Sequence, residues 1–483
     1  MKRGDATAGK DVFRFGTFGT EGFWTDAARL PQGMKQAKVT LLDALKLGMS
    51  VDVERIDTGM RPKLAAELKT DMSAANAPLL NDPAVMQKLV KAKAVIGLVP
   101  THGKVGISCA LCHTITDGSL YAMPHGGSIG HREDGRTPHT LQVGKLLAVA
   151  ANSRAFYPNL QLQMADGSTI GFAPKGLTKD STEADVDAFL SNPQYYPVGT
   201  FNDTPDGIGN PVHIEPLFRQ DLAAPYGSSG QDDILDDFSN TAYTVLFDPT
   251  TLVTPGGRKL LKVLAGKAGT QLADDYAEVL KATGVKGYPY ADSSTTGKAG
   301  AEATPVGLRV DNQKLLDLNA YLASLQAPRG VVDDAGAVMR GRAIFTSSKA
   351  SCTSCHNADQ SKPVNAALVP MKTIWPGYAP KVIAQRPPLT PIQDSPGSFD
   401  DKMVIVDASS SKGGGIRGNA LPLLLDLARK PVFLHDDSVH SLDALLDPAR
   451  GSSSPHPFYV ADKLQRADVV TFLRSLDTHP TAH

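Results

Sequence analysis

The chain has 483 residues, of which 41% are hydrophobic and 20% are charged, and its formal net charge is −1 at pH 7. These values are ordinary for a globular protein of about two to three domains. The balanced charge excludes recognition of nucleic acid by charge alone. No apolar run reaches the roughly 18–20 residues that cross a bilayer as a helix, so the protein is not expected to be membrane-spanning.

The N-terminal segment MKRGDATAGKDVFRFGT carries some positive charge but lacks the apolar stretch that forms the core of a signal peptide. Two possibilities follow: the protein is cytosolic, or it is exported and its leader precedes this numbering. The cysteines decide between the two, because their chemistry depends on the compartment.

All four cysteines lie in two copies of one pattern, Cys-x-x-Cys-His. Three chemistries use such pairs: covalent attachment of c-type haem, one structural zinc held by both pairs, or two redox disulfides. The residues of the two copies are Cys109, Cys112 and His113, then Cys352, Cys355 and His356.

The histidine after each second cysteine favours haem. Only 12 of 483 residues are histidine, so two chance neighbours are improbable. About 240 residues separate the pairs, far more than the short loop that usually joins two zinc knuckles. A redox disulfide has no use for a second distant copy. The sequence therefore predicts two covalently bound c-type haems, with His113 and His356 as iron ligands.

The haem prediction also bears on localisation. Bacteria attach haem covalently outside the cytoplasm, so we expect a periplasmic protein whose signal peptide is absent from this numbering. No cysteine remains for a structural disulfide.

Two amphipathic segments predict helices that close the haem units. Leucines of 312–328 and apolar residues of 463–480 each fall on one helical face. Both segments contain Leu-x-Ser-Leu followed by a proline, which indicates an internal repeat. A further helix is predicted at 333–345, directly before the second cysteine pair.

These helices and the scarcity of strand patterns predict a mostly α fold. We expect two cytochrome c-like haem domains with long loops, covering 1–328 and 329–483. The first is enlarged by an N-terminal extension and by an insert at about 150–305, in which Gly-, Pro- and Ser-rich stretches indicate loops.

The second axial ligand decides what each haem does. A Met ligand raises the reduction potential, a second His lowers it, and an open position permits reactions. The candidates lie in loop-like segments near each motif. They are His125, His131 and His139 for the first haem, and His435, His440, Met371 and Met403 for the second.

The chain resembles the bacterial dihaem cytochrome c peroxidase superfamily, which includes cofactor-maturing dihaem enzymes and dihaem rubber oxygenases. The stretches that carry this resemblance are the two Cys-x-x-Cys-His motifs, SIGH at 128–131 and FLHDDSVHSLDALL at 433–446. The N-terminal FGTFGTEGFWTDAARL is similar to a branch of large dihaem cytochromes. The resemblance implies that His131 and His435 are the distal ligands, and that calcium can lie at the domain junction.

The chain departs from the family pattern in three respects. Asp437 stands where the second-domain signature usually has Gly. Classical members have a Trp between the haems shortly after the first loop, whereas the nearest aromatic here is Tyr157. No residue is identified with the Gln/Glu pair that assists peroxide cleavage in the family: Glu215 is a candidate, and an ordinary surface glutamate is the favoured alternative interpretation.

The expected function is periplasmic electron transfer between the two haems, with a redox partner protein or a small electron donor or acceptor. The alternative is a peroxidase or oxygenase that reacts with peroxide or dioxygen at the first haem while the second supplies electrons. Because several histidines are available as second axial ligands, the sequence favours electron transfer over catalysis.

Overall fold

The computed structural model is mostly helical, which confirms the predicted fold class at that level. The strands in the part of the chain that it describes are two to four residues long. The described residues are 4–163, 175–202, 212–227, 232, 234–293, 306–364, 369–370, 418–434, 437, 439–452 and 456–479.

The α-helices of the described residues are numbered in chain order. They are α1 (Ala6–Phe15), α2 (Leu30–Gln36), α3 (Leu41–Lys46), α4 (Arg61–Glu67), α5 (Pro83–Lys91), α6 (Ala110–His113), α7 (Val143–Ala148), α8 (Glu183–Ser191), α9 (Leu235–Thr241), α10 (Pro255–Ala282), α11 (Asn312–Ser324), α12 (Ala335–Phe345), α13 (Leu442–Leu445) and α14 (Lys463–Arg474).

The strands form small sheets with antiparallel pairing, apart from the parallel pair of β1 and β6. The sheets have the orders β1-β6-β5, β2-β3, β4-β7, β8-β9 and β10-β11. The strands are β1 (Val51–Asp52), β2 (Leu98–Thr101), β3 (Lys104–Ile107), β4 (Thr114–Thr116), β5 (Tyr121–Ala122), β6 (Ser128–Gly130), β7 (Arg132–Asp134), β8 (Thr200–Phe201), β9 (Val212–His213), β10 (Val369–Pro370) and β11 (Gly418–Asn419).

Two helix pairs frame the two cysteine motifs. Helix α1 packs on α11, and helix α12 packs on α14. Each of the four helices begins after an aspartate whose carboxylate accepts from backbone N–H groups of the first turn. Such caps satisfy donors that have no partner within the helix and place negative charge at the positive end of the helix dipole.

The two pairs cross at equivalent glycines. A Cβ atom on Gly9 would overlap with the carbonyl oxygen of Asp317, and one on Gly341 would overlap with that of Asp468. Four residues after each glycine a phenylalanine packs on an aromatic ring of the closing helix. The ring centres are 5.5 Å apart for Phe13 with Tyr321 and 5.3 Å for Phe345 with Phe472. The repeat therefore includes helix α1, whose role the sequence analysis missed.

The insert at 150–305 contains α8, α9 and the 28-residue helix α10, for which no element was predicted. The loops predicted at 201–211 and 291–305 lie largely outside the described residues. Buried Tyr276 of α10 donates from its hydroxyl to the carbonyl oxygen of Ala155 at 2.7 Å. Tyr276 and Val279 of α10 also belong to the same buried hydrophobic cluster as Phe23 and Leu45, so the insert is packed into the main core.

The two halves of the chain touch through a small apolar cluster and several polar contacts. Phe218, Ala327 and Leu425 pack together across the predicted boundary near residue 328. The guanidinium of Arg136 lies 3.3 Å from the carboxylate of Asp426. Among the described residues, we find no helix that combines the length and the apolar character needed to cross a membrane.

Candidate functional site

The first cysteine pair lies at the start of α6, directly after the hairpin of β2 and β3. The residue before it, Ser108, donates from Oγ to the carbonyl oxygen of Arg14 at 2.9 Å. The N–H of His113 donates to the carbonyl oxygen of Cys109 at 3.1 Å and closes one turn. The motif is thereby held against the last turn of α1.

The thiols of this pair are free and half-buried. The Sγ atom of Cys109 lies 3.1 Å from the hydroxyl oxygen of Tyr243. Burial raises the pKa of Cys109 to about 11 and that of Cys112 to about 12. Both are therefore neutral thiols near pH 7.

The imidazole of His113 is oriented by one hydrogen bond. Its Nδ1 atom lies 2.9 Å from the carbonyl oxygen of Glu215, and because a carbonyl can only accept, Nδ1 carries the proton. Burial lowers the pKa of His113 to about 4, so the ring is neutral near pH 7. The other nitrogen, Nε2, then keeps a lone pair for a metal. An outer hydrogen bond of this kind is usual for a histidine that binds a metal.

A cavity with Cys112 in its wall lies next to this motif. It holds about 50 Å³ of space that water-sized molecules can reach. Its described wall consists of apolar side chains, among them Met34, Met49 and Met86, and of Trp24, whose indole N–H is buried without a partner. This volume is far below the roughly 300–1,000 Å³ of an ordinary ligand pocket, so a cofactor at this motif would require the apolar wall to move.

His131, the distal ligand implied by the family resemblance, lies between strands β6 and β7. Its ring is exposed, and Nδ1 is 3.4 Å from the carboxylate of Glu54, which is also exposed. His131 is not part of the described cavity wall. Coordination by His131 would require its ring to leave Glu54 and turn toward the cavity, so this assignment stays a prediction. His125 and His440 are exposed as well.

A polar cluster, which we call the junction cluster, lies beside His113 where the two halves of the chain meet. The rings of His139 and His213 are stacked, with centres 5.4 Å apart and planes at 18°. The Nδ1 atom of His213 lies 2.6 Å from a carboxylate oxygen of Asp437 in the other half. The fourth and fifth members, Glu215 and Lys430, have side-chain atoms 3.4 Å apart.

The electrostatics of the junction cluster follow from burial and pairing. Burial, with a smaller contribution from His213, lowers the pKa of His139 to about 3, so that ring is neutral. Burial alone would raise the pKa of Glu215, but Lys430 and the nearby histidines bring it below its usual value. The carboxylate of Glu215 is therefore an ionised partner of Lys430 near pH 7.

Asp437 has an unfavourable backbone conformation. Its φ angle is +61°, in the left-handed region that favours glycine. The aspartate here has a carboxylate that pairs with buried His213, which compensates for the unfavourable backbone angle.

The second cysteine pair follows α12 and begins a short 3-10 turn, Cys352–Ser354. The N–H of His356 donates to the carbonyl oxygen of Cys352 at 2.9 Å, as in the first motif. The ring of His356 lies 6.3 Å, centre to centre, from that of His456, with planes at 45°. Burial lowers the pKa of each of these histidines to about 4, so both rings are neutral.

Several predicted residues lie outside the described part of the chain. They are His435, Met371 and Met403. The roles predicted for them stay predictions.

The four cysteines, all of which are described, are not gathered into one metal site. Among the described residues we find no group of three or more His, Cys, Asp or Glu side chains able to hold a metal ion. A single zinc bound by both pairs therefore finds no support. The calcium ion implied by the resemblance stays a prediction without assigned residues.

Comparison with known proteins does not assign the chain to a family. No family model matches the chain, and no curated protein matches it. Hydrazine synthase from Kuenenia stuttgartiensis, solved under xenon pressure, is similar over 67% of this chain and 86% of its own, with 12% identity and a TM-score of 0.30. A likeness at this level carries no argument about fold or function.

Sequence reasoning missed three residues of these sites. His213 lies in a short segment between Pro211 and Pro216, and His456 lies in GSSSPHPFYV, a segment typical of a surface loop. Lys430 has no local pattern at all. The one available signal was that His456 precedes the closing helix of the same unit that carries His356.

Proposed function

We propose that the protein is a periplasmic dihaem c-type cytochrome that transfers electrons between two covalently bound haems. The observation that carries the proposal is the geometry at His113. A neutral imidazole with its Nδ1 proton committed to the carbonyl of Glu215 stands next to two free thiols and beside an apolar cavity. This set matches what covalent haem attachment requires of a polypeptide.

The residues present fit two haems. Cys109 and Cys112 would form the thioether bonds of the first, with His113 on the iron. The corresponding residues of the second are Cys352, Cys355 and His356. A bound haem supplies a one-electron iron couple whose potential depends on its ligands and on its exclusion from water. At the first site the chain contributes an apolar wall and the oriented imidazole of His113.

The repeated helix pairs support two cytochrome c-like units. Each motif lies in the chain between an opening and a closing helix that cross at a glycine. The proposed domains are 1–328 and 329–483. A small electron donor or acceptor, or a redox protein, would exchange electrons with these units.

The position of Glu215 favours electron transfer over the peroxidase or oxygenase alternative. Its backbone carbonyl binds Nδ1 of His113, so this residue lies on the side of the imidazole that faces away from a bound iron. Its carboxylate pairs with Lys430. The carboxylate of Glu215 is therefore not placed to assist cleavage of an iron-bound peroxide. The described cavity wall contains no Asp or Glu.

The test is to produce the protein with a leader in a bacterial host that matures c-type cytochromes. We expect two haems per chain by pyridine haemochrome assay and by intact mass. Replacing Cys109 and Cys112 with Ser should remove one haem, and replacing Cys352 and Cys355 should remove the other. A colourless product, or a mass equal to that of the bare chain, would overturn the proposal.

A second measurement separates transfer from catalysis. Electron exchange with a soluble redox dye should be fast, whereas the oxidised and half-reduced spectra should not change on addition of hydrogen peroxide. Turnover of peroxide by the protein with both haems bound would favour the alternative.

A further inference from the structure

The ring pair of His356 and His456 has the spacing of two ligands on one metal. An imidazole nitrogen binds a transition metal at about 2.0–2.1 Å. It lies about 1.1 Å from its ring centre, as ring bonds of about 1.35 Å require. Two imidazoles on opposite sides of one metal therefore have ring centres about 6.2–6.4 Å apart. The observed separation is 6.3 Å.

The angle between the rings is compatible with such a pair. Each ring can turn about its own metal–nitrogen bond, so coordination leaves the interplanar angle free. The observed 45° is therefore allowed. The Nδ1 atoms of both rings are buried without a hydrogen-bond partner among the described residues, so, unlike His113, neither ring is oriented by a hydrogen bond at Nδ1 and the case for this pair rests on the ring geometry.

The backbone holds His456 in an unfavourable conformation. Its φ angle is +54°, a region that residues other than glycine seldom adopt, and the next residue is Pro457, which restricts it further. The ring is packed edge-on against Phe458, with centres 5.4 Å apart. Strained residues of this kind tend to mark ligand-holding sites.

We propose that His456 is the second axial ligand of the haem iron attached through Cys352 and Cys355. This inference rests on the proposed haem function. The ligands come from the two ends of one unit, since His356 follows opening helix α12 and His456 precedes closing helix α14. A bis-histidine iron has a lowered potential and no open position for dioxygen or peroxide. The second haem is thereby an electron-transfer centre, and His435, the ligand implied by resemblance, is left for another role.

The decisive variant is His456→Gly in the protein with both haems bound. Glycine accepts the positive φ angle, so the backbone is not disturbed and the fold should be kept. We expect haem content to stay at two per chain, while electron paramagnetic resonance shows that one of the two irons has changed from low spin to high spin. Added imidazole should restore the low-spin signal.

Two matched variants complete the experiment. His102→Gly removes another histidine with a positive φ angle, +47°, that is exposed, and should leave the spectrum unchanged. His435→Ala should also leave the second iron low spin. The inference is overturned if His456→Gly keeps both irons low spin, or if His435→Ala is the variant that opens the second haem. Absence of haem from the wild-type protein would instead overturn the proposed function.

Discussion

The imidazole of His213 in one half of the chain lies 2.6 Å from the carboxylate of Asp437 in the other. The histidine side chain is only 1% exposed and stacks on His139, so its polar atoms have little access to water. The carbonyl of Glu215, two residues after His213, orients His113. The contact between the halves is therefore linked directly to the first proposed haem site.

Two variants of Asp437 separate what its side chain contributes to the free energy of unfolding from what its backbone angle costs. Asp437→Ala should lower the free energy of unfolding by about 2–3 kcal/mol, because buried His213 loses its partner while the positive φ angle remains. Asp437→Gly should cost about 1 kcal/mol less, since glycine accepts that angle. Guanidinium denaturation of both variants measures the difference. Equal losses would mean that the backbone angle carries no strain.

The crossing glycines should be intolerant of any side chain. In Gly9→Ala and Gly341→Ala, the new methyl overlaps with a carbonyl oxygen of the closing helix, so the helices must move apart. We expect a loss of about 2–4 kcal/mol in each variant. The matched control is Gly336→Ala in the same helix as Gly341, where the methyl would meet only flexible side chains. Because alanine favours a helix more than glycine does, this variant should be unchanged or up to about 1 kcal/mol more stable, and thermal denaturation distinguishes these outcomes.

Arg309 should be essential for anchoring helix α9 to the segment before α11. Its guanidinium is 4% exposed and donates to the carboxylates of Asp236 and Asp237. Arg309→Leu leaves two carboxylates with little access to water and without this cation, so we expect a loss of about 3–5 kcal/mol. The control is Arg219→Leu, which breaks the pair with Asp221 near the surface and should cost under about 1 kcal/mol. Similar losses in the two variants would contradict the prediction.

Asp248 should give the stability of the protein a distinctive pH dependence. Burial raises its pKa although four backbone and hydroxyl donors bind the carboxylate, including the N–H groups of Tyr290 and Ala291. A raised pKa in the folded state means that the folded state binds the proton more tightly than the unfolded one. The contribution of this group is therefore fully present below its unfolded pKa of about 3.9 and is lost as the pH rises through the folded pKa.

The measurement compares wild type with Asp248→Asn from pH 4 to pH 8. The difference in unfolding free energy, wild type minus variant, should decrease as the pH rises. An increase would show that the four donors outweigh burial and that the ionised form is the stabilised one.

Much of the fold could be anticipated from local pattern. The closing helices were predicted at 312–328 and 463–480, and the structure has them at Asn312–Ser324 and Lys463–Arg474. The opening helix α1 was missed, although Gly9 and Phe13 have the same spacing as Gly341 and Phe345. That spacing acquires meaning only when the closing helix is in place, because the glycine serves a contact with a carbonyl more than 120 residues away.

The two Cys-x-x-Cys-His motifs can be recognised without a structure, because each lies within one helical turn. The helical class can be recognised in the same way, because apolar periodicity is a local property. The contacts that these motifs and the junction cluster make with distant groups are visible only in the folded chain: the carbonyl of Glu215 at His113, the ring of His456 at His356, and Asp437 at His213. These contacts join residues that are about 100 or more positions apart in the chain, and no short-range sequence pattern indicates them.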